Sequence, residues 1–133
     1  MNKWEALEFV LNDYHDKVPL EFWSDREFVS HTCHWNGFNF RFAHSELKKD
    51  KEFVLKVIKN WGYSFQYADD SLKKNKEFVI KAVSYSSSAL KYADLSLRTD
   101  KEFILNVLQI YKQAYEYVDD VWKNDNEILN KKI

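Results

Sequence analysis

Cysteine occurs once, at Cys33, so no disulfide can form within the chain. Glycine occurs twice and proline once in 133 residues. Hairpins and tight turns draw on both residue types, so a fold of β-hairpins is disfavoured and helix is expected. Long hydrophobic runs are also missing: acidic residues keep interrupting the apolar ones, starting at Met1-Asn2-Lys3-Trp4-Glu5. That pattern offers neither a membrane span nor a signal-peptide core, and the expectation is a cytoplasmic protein without membrane association. Nor does one sign of charge dominate. With 20 basic and 21 acidic residues the formal net charge is -1, which gives no global pull toward nucleic acid.

What is present is an ordered, repeating pattern. Hydrophobic residues make up 45% and charged residues 31%, a balance that argues for a packed core. The stretches starting at Asp25, Asp50, Asn75, Asp100 and Asp125 open alike, as DREFV, DKEFV, NKEFV, DKEFI and DNEIL. Glu27, Glu52, Glu77, Glu102 and Glu127 are spaced by 25 each time. Further on, Phe42, Tyr67, Tyr92 and Tyr117 fall in register, then Ala43, Ala68, Ala93 and Val118, and then Leu47, Leu72, Leu97 and Trp122. Self-similarity at a fixed period signals a repeat architecture.

The recurring residues have physical reasons. Asp or Asn ahead of a helical pattern is an N-cap, and the glutamate two positions on favours the positive end of the helix dipole. Phe53, Val54, Ile58 and Trp61 form a helical stripe that Leu55 and Val57 widen, as suits a helix buried on several sides. Long helices are expected near 26–36, 51–61, 76–86 and 101–111. Gly37 and Gly62 sit where such helices should end and read as C-terminal caps with positive φ; Ser87 and Lys112 stand there later. The rest of each period has room for a short helix and then one more turn, as around Asp70 to Lys74. Ala43, Ala68 and Ala93 are small enough for close helix approach.

The pattern Asp-Lys-Glu-Phe-Val, a glycine about ten residues on, then Leu/Phe-x-Tyr-Ala and Leu-Lys/Arg, resembles a repeat family catalogued as domain of unknown function 4116. The resemblance covers residues 25–124 and weakens where Ser86-Ser87-Ser88 and Lys112 replace the glycine segment. It implies tandem helical repeats and carries no activity or site residue with it.

The fold expected is therefore all-α: a short right-handed-type α-solenoid of tandem 25-residue repeats, each with one long and two short helices. Residues 1–133 form a single repeat domain, with a cap at 1–24, repeats at 25–49, 50–74, 75–99 and 100–124, and a C-terminal capping helix at 125–133. In the first cap, Trp4, Leu7, Val10/Leu11 and Tyr14 make a helical stripe, and Pro19 follows in a linker. At the far end Asn130 and Lys132 are polar where Leu55 and Val57 are apolar, as a cap needs. Ser30 and Thr32 are polar at those same positions in the first repeat, which simple capping does not explain.

Candidate chemistry is sparse. His31, Cys33 and His34 are types that ligate zinc, with His15 and His44 near in sequence. Cys33, however, aligns with Ile58, Val83 and Leu108, so it should face the core while His31 and His34 face solvent. No metal or other cofactor is expected. Asp69-Asp70, Asp94 and Asp119-Asp120 recur in register; a catalytic pair needs one special place, so these acids should be helix caps. Lys48, Lys49, Lys51, Lys73, Lys74, Lys76, Arg98 and Lys101 form a basic edge that could meet nucleic acid or another anion, or be a solvated edge neutralised by nearby acids. Phe40, Phe65 and Tyr115, with Phe42, Tyr67, Tyr92 and Tyr117, should be core rather than a base-stacking platform.

The favoured reading is a non-catalytic protein-binding scaffold, adaptor or inhibitor. Anion or nucleic-acid binding by the lysine edge is the alternative, and a metal enzyme around His31, Cys33 and His34 comes third. Positions common to all repeats, such as Phe53, Phe78 and Phe103 or Ala68 and Ala93, answer one packing problem and should be scaffold. A partner should instead meet exposed residues that differ between repeats. That rule selects Trp23, His31, His34, Trp35 and His44.

Overall fold

The computed structural model describes residues 1–132, which are all-helical; no strand occurs among the described residues. The α-helices are α1 (Lys3–Leu11), α2 (Arg26–Trp35), α3 (Ser45–Lys49), α4 (Lys51–Asn60), α5 (Asp70–Lys73), α6 (Lys76–Tyr85), α7 (Leu95–Arg98), α8 (Lys101–Ile110) and α9 (Asn126–Asn130). Between them lie 3-10 helices, the longer ones at Gly37–Phe42, Gly62–Tyr67, Ser87–Tyr92 and Lys112–Tyr117. The segment expected as a C-terminal cap contains α9 and is described as far as Lys132; Ile133 lies outside the described residues.

Each long helix starts for the same reason. Phe28, Phe53, Phe78 and Phe103 donate their backbone N–H groups to the side chains of Asp25, Asp50, Asn75 and Asp100, at 3.0, 2.9, 3.0 and 3.1 Å. Such a cap satisfies a donor that has no intrahelical partner. Each of these helices stops one residue before the expected end, because Asn36 and Ser86 are extended and Trp61 and Tyr111 also leave helical geometry.

The glycine expectation needs correcting, since no glycine among the described residues has positive φ. Gly37 and Gly62 begin 3-10 helices, and their value lies in having no side chain. A Cβ on Gly37 would collide with Ser64 Oγ and the Trp61 side chain; one on Gly62 would collide with the hydroxyls of Ser86 and Ser88. Lys112, at the corresponding later position, is exposed and meets no such crowding.

Packing is layered. α1 lies against α2, α2 against α4, and α4 against α6, while the four long 3-10 helices stack in chain order. Between the layers sit Phe28, Val54, Ile58, Phe40, Phe65, Leu90 and Ile104, each with 1% exposure or less. The backbone links successive segments directly. His44, Asp69 and Asp94 donate N–H groups to the carbonyls of Trp23, Lys48 and Lys73, at 2.8, 2.9 and 2.9 Å. At the last step the indole Nε1 of Trp122 donates to Arg98 at 2.7 Å instead.

In α1 the expected stripe is also corrected. Ala6, Leu7 and Val10 are buried, whereas Trp4, Leu11 and Tyr14 are 70%, 60% and 56% exposed. α1 ends at Leu11, and Asp13, with φ 62°, turns the chain so that Tyr14 leaves the helical face. Thr32 is a polar residue that the core accepts because its hydroxyl is satisfied within its own helix. It is fully buried, its hydroxyl donates to the Val29 carbonyl at 2.9 Å, and its own carbonyl accepts from Asn39 Nδ2 at 2.9 Å. Asn39 Oδ1 in turn faces His15 Nε2 at 3.1 Å, so a satisfied polar chain ties the N-terminal segment to α2 and its 3-10 helix.

Candidate interaction surface

α2 turns one face to the core and one outward. Phe28, Val29, Thr32 and Cys33 are buried, while Ser30, His31, His34 and Trp35 are exposed. His31 and His34 share a face by their three-residue spacing. The structure thus brings three of the five selected residues onto one helix. His44 stands elsewhere, at the N-terminus of α3, where Glu46 donates its backbone N–H to His44 Nδ1 at 3.2 Å. Its imidazole caps there as Asp69 and Asp94 do for α5 and α7. Trp23 is a correction. It is only 4% exposed and packs edge-on to Phe28 and obliquely on Phe42, with ring centroids 5.3 and 5.2 Å away. A large indole beside two phenyl rings gains more from burial than from exposure, so Trp23 belongs to the core.

Cys33 is 3% exposed, and burial pushes its thiol up to about 12. A thiolate, the form that attacks or ligates, is thus disfavoured near neutral pH. Among the described residues no group of three or more His, Cys, Asp or Glu side chains is placed to hold a metal ion.

The recurring acids act on the backbone. Asp69 accepts from the hydroxyl and N–H of Ser71, at 2.6 and 3.0 Å, and Asp94 accepts from the N–H of Ser96 at 3.0 Å. Hydrogen bonds from those serines hold both carboxyls below the ordinary carboxylate range. Asp119 departs from the cap role and instead accepts from Arg98 at 3.0 Å.

The basic edge is largely engaged. Lys48 donates to the Arg41 carbonyl at 2.8 Å, and Lys73 to the Gln66 carbonyl at 3.1 Å. Lys3, Arg26, Lys76 and Lys101 pair with Asp25, Asp50, Asp100 and Asp125, at 3.0, 2.6, 3.6 and 2.9 Å. The cation after one N-cap therefore meets the N-cap carboxylate of α2, α4, α8 or α9 in turn. Lys51 has no such pair, because its counterpart is the neutral Asn75.

Two further features emerge only in the fold. A groove runs between α2 and α4, lined by the buried Cys33, Phe53 and Val57 and by the exposed His34, Lys56 and Lys59, with Trp61 at its end. The indole Nε1 of Trp61 is buried and has no hydrogen-bond partner among the described residues. Beside it, the Phe38 and Tyr63 rings pack at a tilt with centroids 4.4 Å apart, and Phe38 is 42% exposed. The alignment of Lys56 and Lys59 with His31 and His34 marks these positions as exposed. It does not show that neighbouring helices leave a cleft there.

Residues 50–98 match the family model described as domain of unknown function (DUF4116), and the chain resembles that family there. No curated protein and no solved structure matches the chain.

Proposed function

We propose that the chain is a non-catalytic protein-binding scaffold, built as a solenoid of four 25-residue units over 25–124 with a cap at each end. One observation carries this reading: the recurring charged side chains are largely spent on helix caps and on links between neighbouring segments. Side chains that answer the same packing problem in each unit are poor candidates for chemistry. The exposed residues that break the pattern, His31, His34 and Trp35, stand together on α2, a rigid element suited to presenting a contact surface.

A continuous basic track for nucleic acid has less support, because carboxylates alternate with the cations along that edge. No helix among the described residues is long and apolar enough to cross a membrane. A cytoplasmic location, as scaffold, adaptor or inhibitor, fits this reading.

The test is capture of partners from the native cell by cross-linking and mass spectrometry. The double substitution His31→Ala with His34→Ala should reduce capture while leaving the melting temperature nearly unchanged. Unaltered capture by a well-folded double variant would move the contact surface elsewhere.

A further inference from the structure

The groove between α2 and α4 combines three properties. Its base is apolar, from Cys33, Phe53 and Val57, which are 3%, 5% and 6% exposed. Its exposed rim carries Lys56 and Lys59 with His34 beside them, and among the described residues no carboxylate lines it. Neither Lys56 nor Lys59 forms an ion pair with an acid among the described residues, in contrast to the paired cations at the helix N-termini. Trp61 closes one end of the groove, its indole Nε1 buried and without a hydrogen-bond partner among the described residues.

We propose that this groove is the docking site for a short acidic peptide segment of a partner protein, an apolar side chain seated on the Phe53–Val57 base and flanking carboxylates meeting Lys56, Lys59 and His34. The proposal rests on the scaffold reading and names the chemistry of the partner. Charge complementarity selects an anion, and the apolar base selects one with a side chain to bury. Nucleic acid fits less well. Glu52, exposed one helical turn before Lys56, would repel a phosphate backbone running out of the groove, whereas a short peptide ends inside it.

The experiment uses the full chain and a fluorescein-labelled peptide in which glutamates flank a single leucine, with fluorescence polarisation as the readout. Lys56→Glu with Lys59→Glu should weaken binding by about tenfold or more. Lys91→Glu with Lys112→Glu, which changes net charge equally at exposed sites outside the groove, should change it by less than about twofold. A glutamine version of the peptide should bind weakly, and added salt should weaken the glutamate peptide. Thermal melts check that both double variants stay folded. Equal losses in the two double variants would overturn the proposal, as would equal binding of the glutamine peptide. Tighter binding of a single-stranded oligonucleotide at Lys56 and Lys59 would reassign the groove to nucleic acid. If the peptide does not bind while α2 still cross-links to a cellular protein, the acidic-peptide assignment falls and the scaffold reading stands. If no protein is cross-linked either, both fall.

Discussion

The groove between α2 and α4 and the one where α8 meets α9 beside Lys76 each lie between two helices and carry different surfaces, basic in the first and mixed in charge in the second. The first has two lysines and a histidine at its rim and, among the described residues, no carboxylate. The second has Asp100, Glu102 and Glu127 facing Lys76 and Lys131. The helices beneath both are capped alike, by Asp50 and by Asp100, and bury the same row of residues, Phe53 and Val54 in one and Phe103 and Ile104 in the other. What changes is the outward row: Lys56 and Lys59 become Asn106 and Gln109. Buried positions are held by packing, so the two regions share a scaffold; exposed positions are held by little, so the surface can differ.

If the scaffold is shared, truncating the core should cost a similar amount in either region. Phe40→Ala, and Leu90→Ala at the corresponding position, both remove fully buried side chains. They should cost about 3–5 and 2–5 kcal/mol in urea unfolding. Loss in only one region would break the comparison.

Close approach should distinguish the two glycines. Gly37→Ala drives a methyl into the Cβ and ring of Trp61, whereas Gly62→Ala meets mainly serine hydroxyls that can rotate away. Gly37→Ala should cost about 1–3 kcal/mol and Gly62→Ala less, both read from melting curves.

The caps should produce a smaller, pH-dependent effect. Asp50→Ala should cost about 1 kcal/mol, and Asp50→Asn less, since Asn75 caps α6 with the same geometry. Asp50 is held below the ordinary carboxylate range by Arg26 and the Phe53 N–H, Asp25 by the Phe28 N–H and Lys3, and Asp125 by Lys101. A carboxyl depressed in the folded state binds its proton more readily once unfolded. Its contribution is complete above the ordinary carboxylate pKa of about 3.9 and is lost as pH falls through the lower folded value. Stability should therefore be level from neutral pH to about 5 and fall below about 4, with a shallower fall in Asp50→Asn. The smallest effect belongs to the surface: Lys59→Ala in the first groove and Lys76→Ala at its pair with Asp100 should each change stability by less than about 1 kcal/mol.

The helices are legible in the sequence because their causes are local. An Asp or Asn cap followed by a phenylalanine three residues on places each long helix within one residue of its observed end. The glycines mislead because Gly37 and Gly62 answer to the neighbouring segment, which the local sequence does not display. Trp23 misleads for the same reason: its partners Phe28 and Phe42 are near in sequence, but only the fold turns all three inward. Thr32 is anomalous in the sequence and ordinary in the structure, where its hydroxyl is satisfied one turn back at the Val29 carbonyl. Of the candidate surface, the exposure of His31, His34 and Trp35 follows from helical periodicity. The groove beside them depends on the separation of α2 and α4, which no single helix encodes.

The most direct measurement is site-specific photo-cross-linking in the native cell, with the photoreactive residue placed in turn at His34, Lys59, Asn106 and Gln109. All four are exposed, so none should disturb the core. A binding scaffold whose contact lies on the α2–α4 groove predicts a discrete cross-linked protein from His34 and Lys59 and none from Asn106 and Gln109. The same adducts from all four sites, or adducts from Asn106 and Gln109 alone, would contradict it.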